Sequence, residues 1–282
     1  MNTPTPAPLR CVGPVTADHL KRQLQIDQVL RLLILLGLPL LFTVLLAYFE
    51  MTPDPLGLCI MTLAGMWIVL NLLNARAWQQ VNNMAELFAM EPKQAESRIA
   101  AVLRYRPLAR QVRLLTYHRL ATLRHQQQDY DQTIAICHSV LMHPLRQSEP
   151  MTQHLLLMLT EAQLANGDAP GAYLSLTELS SRSLSLVHSL QKLALRTRYY
   201  LLVGYDEDAT SDLRDKIHMA ELMPALQCGA MHVLLHVAAS RSDQTPLAHW
   251  LDERARLLLN DEQYEGVMQS LSTPTVTPVE LM

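Results

Sequence analysis

Two histidines one helical turn apart, His232 and His236, have the spacing in this sequence that best suits metal binding. Residues i and i+4 lie on one face of a helix, so both imidazoles could reach a single zinc ion. The segment reads His-Val-Leu-Leu-His, with no glutamate to act as a general base and no third ligand nearby. The pattern therefore favours a packing role, and we predict no metal site.

Cys137 and His138 are adjacent, and His143 follows, which raises the possibility of a thiolate activated by an imidazole. A nucleophile and its base must lie within hydrogen-bond reach. Neighbouring residues on a helix diverge by about 100°, so these side chains should point apart. We therefore predict no catalytic pair at this position.

Four carboxylates cluster around one turn, at Asp206, Glu207, Asp208 and Asp212, but they lack the spacing and central glycine of a calcium-binding loop. The chain also lacks G-x-S-x-G, H-E-x-x-H, a Walker loop and a dinucleotide fingerprint. We predict no catalytic residues and no cofactor, and keep a membrane-bound enzyme only as the least favoured alternative.

Composition excludes several further classes. The net charge is −3 and no basic stripe interleaves with aromatic residues, so we predict no nucleic-acid partner. Only 9 of 282 residues are glycine and 3 are phenylalanine, which disfavours phosphate loops and many-stranded sheets. The four cysteines are scattered without C-x-x-C spacing, so neither a disulfide framework nor a zinc site is indicated.

The apolar residues concentrate in two runs. From Leu32 to Phe49 eighteen residues carry no charge, a length of ~27 Å as a helix and close to a bilayer core. A second uncharged run, Leu56 to Leu73, follows after the linker 50–55, which contains two prolines. We predict a transmembrane helical hairpin over 29–74, with residues 32–73 in the lipid bilayer. The alternatives are a cleaved signal peptide and a buried hairpin of a soluble protein.

The positive-inside rule orients this hairpin. Arg10, Lys21, Arg22 and Arg31 precede the first run and Arg76 follows the second, whereas the linker has no basic residue. Both termini of this integral membrane protein are therefore predicted to be cytoplasmic.

Composition predicts the character of both flanks of the chain. Residues 1–28 should form a proline-rich tail followed by a juxtamembrane helix, which begins at Thr16. Residues 261–282 are turn-rich, and we predict a disordered C-terminal tail.

Turn signals recur at Gln128, Gly167, Gly204 and Ser242, at spacings of 39, 37 and 38 residues. The segments between them have a helical pattern, so the region 75–260 should consist of repeated helix–turn–helix units. Such units expose an apolar face that only a stacked neighbour covers, which predicts an α-solenoid. The fold class predicted for the chain is therefore all-α.

One unit carries a more specific pattern. Tyr117, Leu120 and Ala121 stand on its first helix, the turn is Gln128-Asp129-Tyr130-Asp131, and a small residue, Thr133, opens the second helix. This pattern resembles the tetratricopeptide repeat, although the spacing exceeds the ~34 residues usual for that family. The resemblance implies stacked helix pairs whose first helices line a concave, partner-binding face.

The same pattern predicts local roles. Asp129, Asp168 and Asp208 should cap or open the second helices, where carboxylates bind free N–H groups and the positive end of the helix dipole. Ala121, Thr160 and Ala172 are small, so we predict that the paired helices cross closely at these positions. Ala121→Trp and Ala172→Trp should then destabilise the domain.

Recognition should fall on the solvent-facing side of the first helices, because those helices line the inner face of such a solenoid. Arginine and tyrosine dominate binding hot spots. The candidate partner-binding residues are Arg113, Thr116, Arg119, Arg124, Arg196, Thr197 and Tyr200. The alternative is that the arginines form an ordinary solvated surface.

These features predict a membrane-anchored protein–protein interaction scaffold or assembly factor, with a groove that holds a membrane-associated partner protein. The resemblance implies a bacterial inner membrane, where many tetratricopeptide proteins serve complex assembly. The alternative is a structural subunit of a larger membrane complex, whose hairpin packs against other subunits.

Overall fold

The computed structural model describes residues 55–83, 92–104, 110–142 and 149–271, with residues 26, 44 and 48 described singly. Every regular element in these ranges is a helix and none is a strand, which confirms the all-α prediction. The chain divides into two compact units, Met1–Arg146 and Gln147–Met282. The boundary between them lies inside the region 75–260 that was predicted as one array.

The first unit contains four described helices: α1 (Pro55–Asn82), α2 (Pro92–Arg104), α3 (Arg110–Gln126) and α4 (Tyr130–Leu141). Helix α3 packs against the other three. Ala77 and Val81, near the C-terminal end of α1, are buried with Val102 of α2 and Val112 of α3. Helix α1 runs without interruption from the predicted second span into this core.

The N-terminal part of α1 presents apolar side chains to solvent. Among the side chains that the structure describes there, six large ones are each more than half exposed: Ile60, Met61, Trp67, Ile68, Val69 and Leu72. The predicted first span, 32–49, and the predicted segment 1–28 lie outside the described ranges apart from the single residues 26, 44 and 48.

Within the part of the chain that the structure describes, no helix combines the length and the apolar character needed to cross a membrane.

The second unit contains eight described helices: α5 (Glu149–Ala165), α6 (Ala169–Ser180), α7 (Leu186–Val203), α8 (Asp206–Thr210), α9 (Leu213–Ala220), α10 (Ala225–Arg241), α11 (Thr245–Leu258) and α12 (Asp261–Leu271). One buried cluster joins α7, α8, α9, α10 and α11, with Leu201, Met231, Leu235 and Leu251 nearly inaccessible to solvent.

Four helical hairpins close with the same backbone device. One or two residues after the first helix of each ends, the backbone is left-handed: Gln128 (φ 58°), Gly167 (φ 76°), Gly204 (φ 83°) and Asp243 (φ 57°). In each, the N–H of the next residue reaches back five residues to a carbonyl at 2.8–3.0 Å, as in a Schellman motif. The four turns therefore lie where the sequence predicted them.

Two of the three predicted capping aspartates form side-chain caps. The Asp129 carboxylate accepts from the N–H of Gln132 at 3.3 Å, and Asp168 accepts from the N–H of Gly171 at 2.9 Å. Asp208 instead lies in the first turn of α8, where the capping residue is Tyr205 and no side chain caps the helix.

Small residues recur among the buried positions of the paired helices. Ala121, Thr160 and Ala172 are all 0% exposed, as the prediction of close packing requires. Five residues after each left-handed residue stands another small, buried side chain, and these four are Thr133, Ala172, Ala209 and Ala248.

The prediction of a disordered tail from residue 261 is wrong for its first part, because Asp261–Leu271 forms α12. The sequence feature that indicates this helix is a capping box at its N-terminus, which composition alone does not reveal. Asn260 and Gln263 bond reciprocally, with Gln263 N–H donating to Asn260 Oδ1 at 2.8 Å and Asn260 N–H donating to Gln263 Oε1 at 3.2 Å. Tyr264 then buries its ring against Val233 and Ala255, which fixes the helix to the unit.

Candidate functional site

The third of the four hairpins differs from the others, because its second helix is broken. The second helices of the other hairpins, α4, α6 and α11, are continuous over 12, 12 and 14 residues. Here α8 ends after 5 residues and α9 begins after Ser211 and Asp212. The backbone of Asp212 is left-handed, with φ 48°. Residues other than glycine adopt this conformation at a cost in energy, and aspartate tolerates it better than most.

Lys216 holds this break in place. Its ammonium group donates to the carbonyls of Asp208 and Ala209, both at 2.8 Å, and lies 3.4 Å from Ser211 Oγ. These carbonyls are at the C-terminal end of α8, where a cation stabilises the free acceptors and the negative end of the dipole. Burial lowers the pKa of Lys216, and the nearby Arg196 lowers it further.

A cleft of about 350 Å³ opens between α7 and the broken helix. Its α7 wall includes Lys192, Arg196, Thr197 and Tyr200, and its other wall includes Ser211, Asp212, Asp215, Lys216 and Met219. The break creates this wall, because it redirects the chain at Asp212 and places the first turn of α9 beside α7.

Three of the predicted partner-binding residues, Arg196, Thr197 and Tyr200, line this cleft together. Arg196 is exposed, and its Nε donates to the Tyr200 hydroxyl at 2.7 Å while its guanidinium carbon lies 5.3 Å from the ring centre. Thr197 was predicted to face solvent and is 1% exposed, with its hydroxyl donating to the carbonyl of Leu193 at 3.0 Å. Arg196 and Tyr200 are therefore the accessible members of the predicted set.

The other four predicted residues, Arg113, Thr116, Arg119 and Arg124, are not solvent-facing, and that prediction is wrong. Their exposed fractions are 4, 0, 9 and 2%. All four stand on α3, which has neighbouring helices on several sides and so presents no free face at these positions. They belong to the interior of the first unit.

Two of these residues have clear internal roles. Arg124 forms a buried ion pair with Glu96 of α2, with Nη2 and Oε1 2.6 Å apart, and donates from Nη1 to Gln127 Oε1 at 2.9 Å. The Thr116 hydroxyl donates to the carbonyl of Val112 at 2.7 Å. Burial also lowers the pKa of Arg119.

The histidines and the cysteine that the sequence offered for metal binding or catalysis are not arranged for either role in the described residues. His232 and His236 bond through Nδ1 to different carbonyls, those of Cys228 at 2.8 Å and Ala248 at 2.9 Å. Burial raises the pKa of the Cys137 thiol to about 12, while His138 is exposed, so the two point apart as predicted. Across the described ranges, no three His, Cys, Asp or Glu side chains gather closely enough to hold a metal ion.

Sequence reasoning missed the wall of the cleft formed by the break. Asp215 and Lys216 look like ordinary surface residues of a helix in the sequence. The available signal was the run Thr210-Ser211-Asp212, three residues whose side chains compete with a helix for backbone hydrogen bonds.

Fold and cleft together define a class of protein, an all-α chain of helical hairpins with a charged cleft at one broken hairpin. Comparison with family models, curated proteins and solved structures found no match to the chain.

Proposed function

We propose that the protein is a membrane-anchored scaffold or assembly factor, built as a tetratricopeptide-like solenoid, that binds a partner protein in the cleft between α7 and α9. The observation that carries this proposal is that two cationic side chains in the α7 wall, Lys192 and Arg196, have no carboxylate partner in the described part of the chain. Among the described residues, no carboxylate lies within the 4 Å of an ion pair from Lys192 or Arg196.

Arg196 illustrates why a cation without a carboxylate partner favours binding. Its Nε donates to the Tyr200 hydroxyl, so the side chain is held in position where it lines the cleft. By contrast, Arg182 is neutralised by Glu149 at 3.0 Å and Glu178 at 2.7 Å. A pre-positioned guanidinium beside a tyrosine ring supplies directed hydrogen bonds at a low cost in conformational entropy, which is typical of binding hot spots.

Support for the membrane anchor comes from the two uncharged runs and from α1. Its exposed side chains, such as Trp67 (66%) and Met61 (76%), form an apolar surface that water disfavours. Because α1 is continuous into the core at Ala77 and Val81, insertion of its N-terminal part would hold the first unit at the bilayer. The hairpin over 29–74 in a bacterial inner membrane, with both termini cytoplasmic, is part of this proposal.

Charge reversal tests the cleft. Arg196→Glu should abolish retention of the partner in affinity isolation from mild detergent, because a carboxylate would replace the cation that binds it. Helical circular dichroism and the melting temperature should be unchanged, since Arg196 is exposed. Arg214→Glu is the matched control, being an exposed arginine of α9 outside the cleft lining, and it should retain the partner.

The alternative, a structural subunit of a larger membrane complex, predicts a different result. Partners would then survive Arg196→Glu and be lost when residues 29–74 are exchanged for an unrelated anchor. That outcome would disprove the cleft proposal. Arg119, which the sequence also suggested for reversal, is unsuitable because it is 9% exposed and its reversal would perturb folding.

Cysteine labelling tests the orientation. We expect a cysteine introduced at Thr52 to react with a membrane-impermeant maleimide added outside intact cells, because the linker between the two runs carries no basic residue. A cysteine at Ser270 should react only after the cells are permeabilised. The parent chain supplies the background from its own cysteines, and external labelling at Ser270 would refute the orientation.

A further inference from the structure

The cleft between α7 and α9 carries opposite charges on its two walls. Lys192 and Arg196 are four residues apart on α7, so they lie on one face of that helix. Asp212 and Asp215 are three residues apart where α9 begins, and they line the opposite wall. Among the described residues, no cation of the first pair forms an ion pair within 4 Å with a carboxylate of the second pair.

This separation contrasts with the rest of the second unit, where neighbouring opposite charges do meet. The pairs are Arg182–Glu178 at 2.7 Å, Arg256–Asp252 at 3.0 Å and Arg254–Glu221 at 3.1 Å. The charges in the cleft are thus kept apart by the walls, not by a shortage of counter-ions. Lys216, which also lines the cleft, is tied to the carbonyls of α8 and keeps the walls in this arrangement.

We propose that the cleft recognises a partner segment that presents an acidic and a basic side chain together on one helical face. The acidic side chain would bind Lys192 and Arg196, and the basic side chain would bind Asp212 and Asp215. This inference rests on the proposed function, because it specifies the charge pattern of the partner protein that the cleft binds.

Both walls limit which segments fit. A purely acidic segment would satisfy α7 but would place its carboxylates beside Asp212 and Asp215, and a purely basic one would meet Lys192 and Arg196. Like charges at such short range disfavour the wrong partner more strongly than the matching pairs favour the right one. The volume of about 350 Å³ is enough for a few side chains and too small for a whole folded element.

Three fluorescent alanine-based peptides of equal length test the charge pattern against the full chain in mild detergent. One alternates glutamate and lysine at i and i+4 spacing, the second replaces every lysine with glutamate, and the third replaces every glutamate with lysine. Fluorescence anisotropy should show the mixed peptide binding about tenfold more tightly than either of the others. General electrostatic attraction predicts the reverse, because the mixed peptide has no net charge.

Variants assign this binding to the cleft. Arg196→Glu and Asp215→Lys should each weaken binding of the mixed peptide at least tenfold, because each substitution places a like charge opposite one charged side chain of the peptide. Arg214→Glu should have no effect. Circular dichroism establishes that each variant is folded.

Tightest binding of the all-glutamate peptide, no binding of any peptide, or unchanged binding of the mixed peptide to Arg196→Glu and Asp215→Lys would each overturn the inference. The proposed function is judged separately, by retention of the natural partner in Arg196→Glu. The two proposals can therefore fail separately. If Arg196→Glu loses the partner but the all-glutamate peptide binds most tightly, the scaffold proposal stands and the mixed-charge pattern is rejected.

Discussion

Replacing Glu96 with alanine is expected to lower the free energy of unfolding of the first unit by about 3–5 kcal/mol. Glu96 and Arg124 form an ion pair at 2.6 Å with side chains only 5% and 2% exposed. Removal of the carboxylate would leave the guanidinium of Arg124 buried without that counter-charge, and breaking a buried ion pair costs far more than losing a surface contact.

Urea unfolding of the full chain, followed by circular dichroism, measures this change. Glu96→Gln should destabilise less than alanine, because the amide oxygen can still accept from Arg124. Glu178→Ala is the control, since it removes a carboxylate that is 50% exposed from its pair with Arg182, and it should cost less than about 1 kcal/mol. Equal effects of Glu96→Ala and Glu178→Ala would contradict a buried role for the first pair.

Replacing Ala172 with tryptophan is expected to destabilise the second unit by about 3 kcal/mol, because overpacking a filled site forces helix axes and side chains out of position. Ala172 is 0% exposed and packs in a cluster with Leu164, Leu176 and Tyr199. It lies where α5 and α6 pack together, so a large side chain has no open direction.

Leu174→Trp on the same helix is the matched control, because Leu174 is 68% exposed and an indole fits there without displacing a neighbour. Thermal melts should separate the two variants clearly. Ala121→Trp should behave like Ala172→Trp in the first unit, where Ala121 is also 0% exposed. A melting temperature for Ala172→Trp close to that of Leu174→Trp would refute a close helix crossing at this position.

The turns, the helical type and the helix caps of this fold are encoded locally in the sequence. The spacing predicted turns at Gln128, Gly167, Gly204 and Ser242, and the left-handed residues lie at or next to these positions, because a turn and its cap involve only neighbouring residues. Helical type is equally local, since it follows from periodicity and from scarce glycine. The capping box at Asn260 was present in the sequence too, although composition alone misassigned that segment.

Burial, in contrast, was decided by tertiary structure. Arg113, Arg119 and Arg124 have the residue type and spacing of a solvated face, yet they are buried, because α1, α2 and α4 all pack against α3. Arg196 has the same residue type and a similar place in its own hairpin, and it stays exposed beside a cleft. A one-dimensional pattern gives the face of a helix on which a side chain stands, but not which faces other helices cover.

The cleft also depends on tertiary contacts. The run Thr210-Ser211-Asp212 weakens a helix locally, and the ammonium group of Lys216 then stabilises the broken ends at Asp208 and Ala209. The sequence by itself determined that these segments are helices and where most of them turn, because hydrogen bonds within a few residues govern both. Only the tertiary structure decided which charges are neutralised and which face a cleft, because that depends on distances between helices that local sequence does not encode.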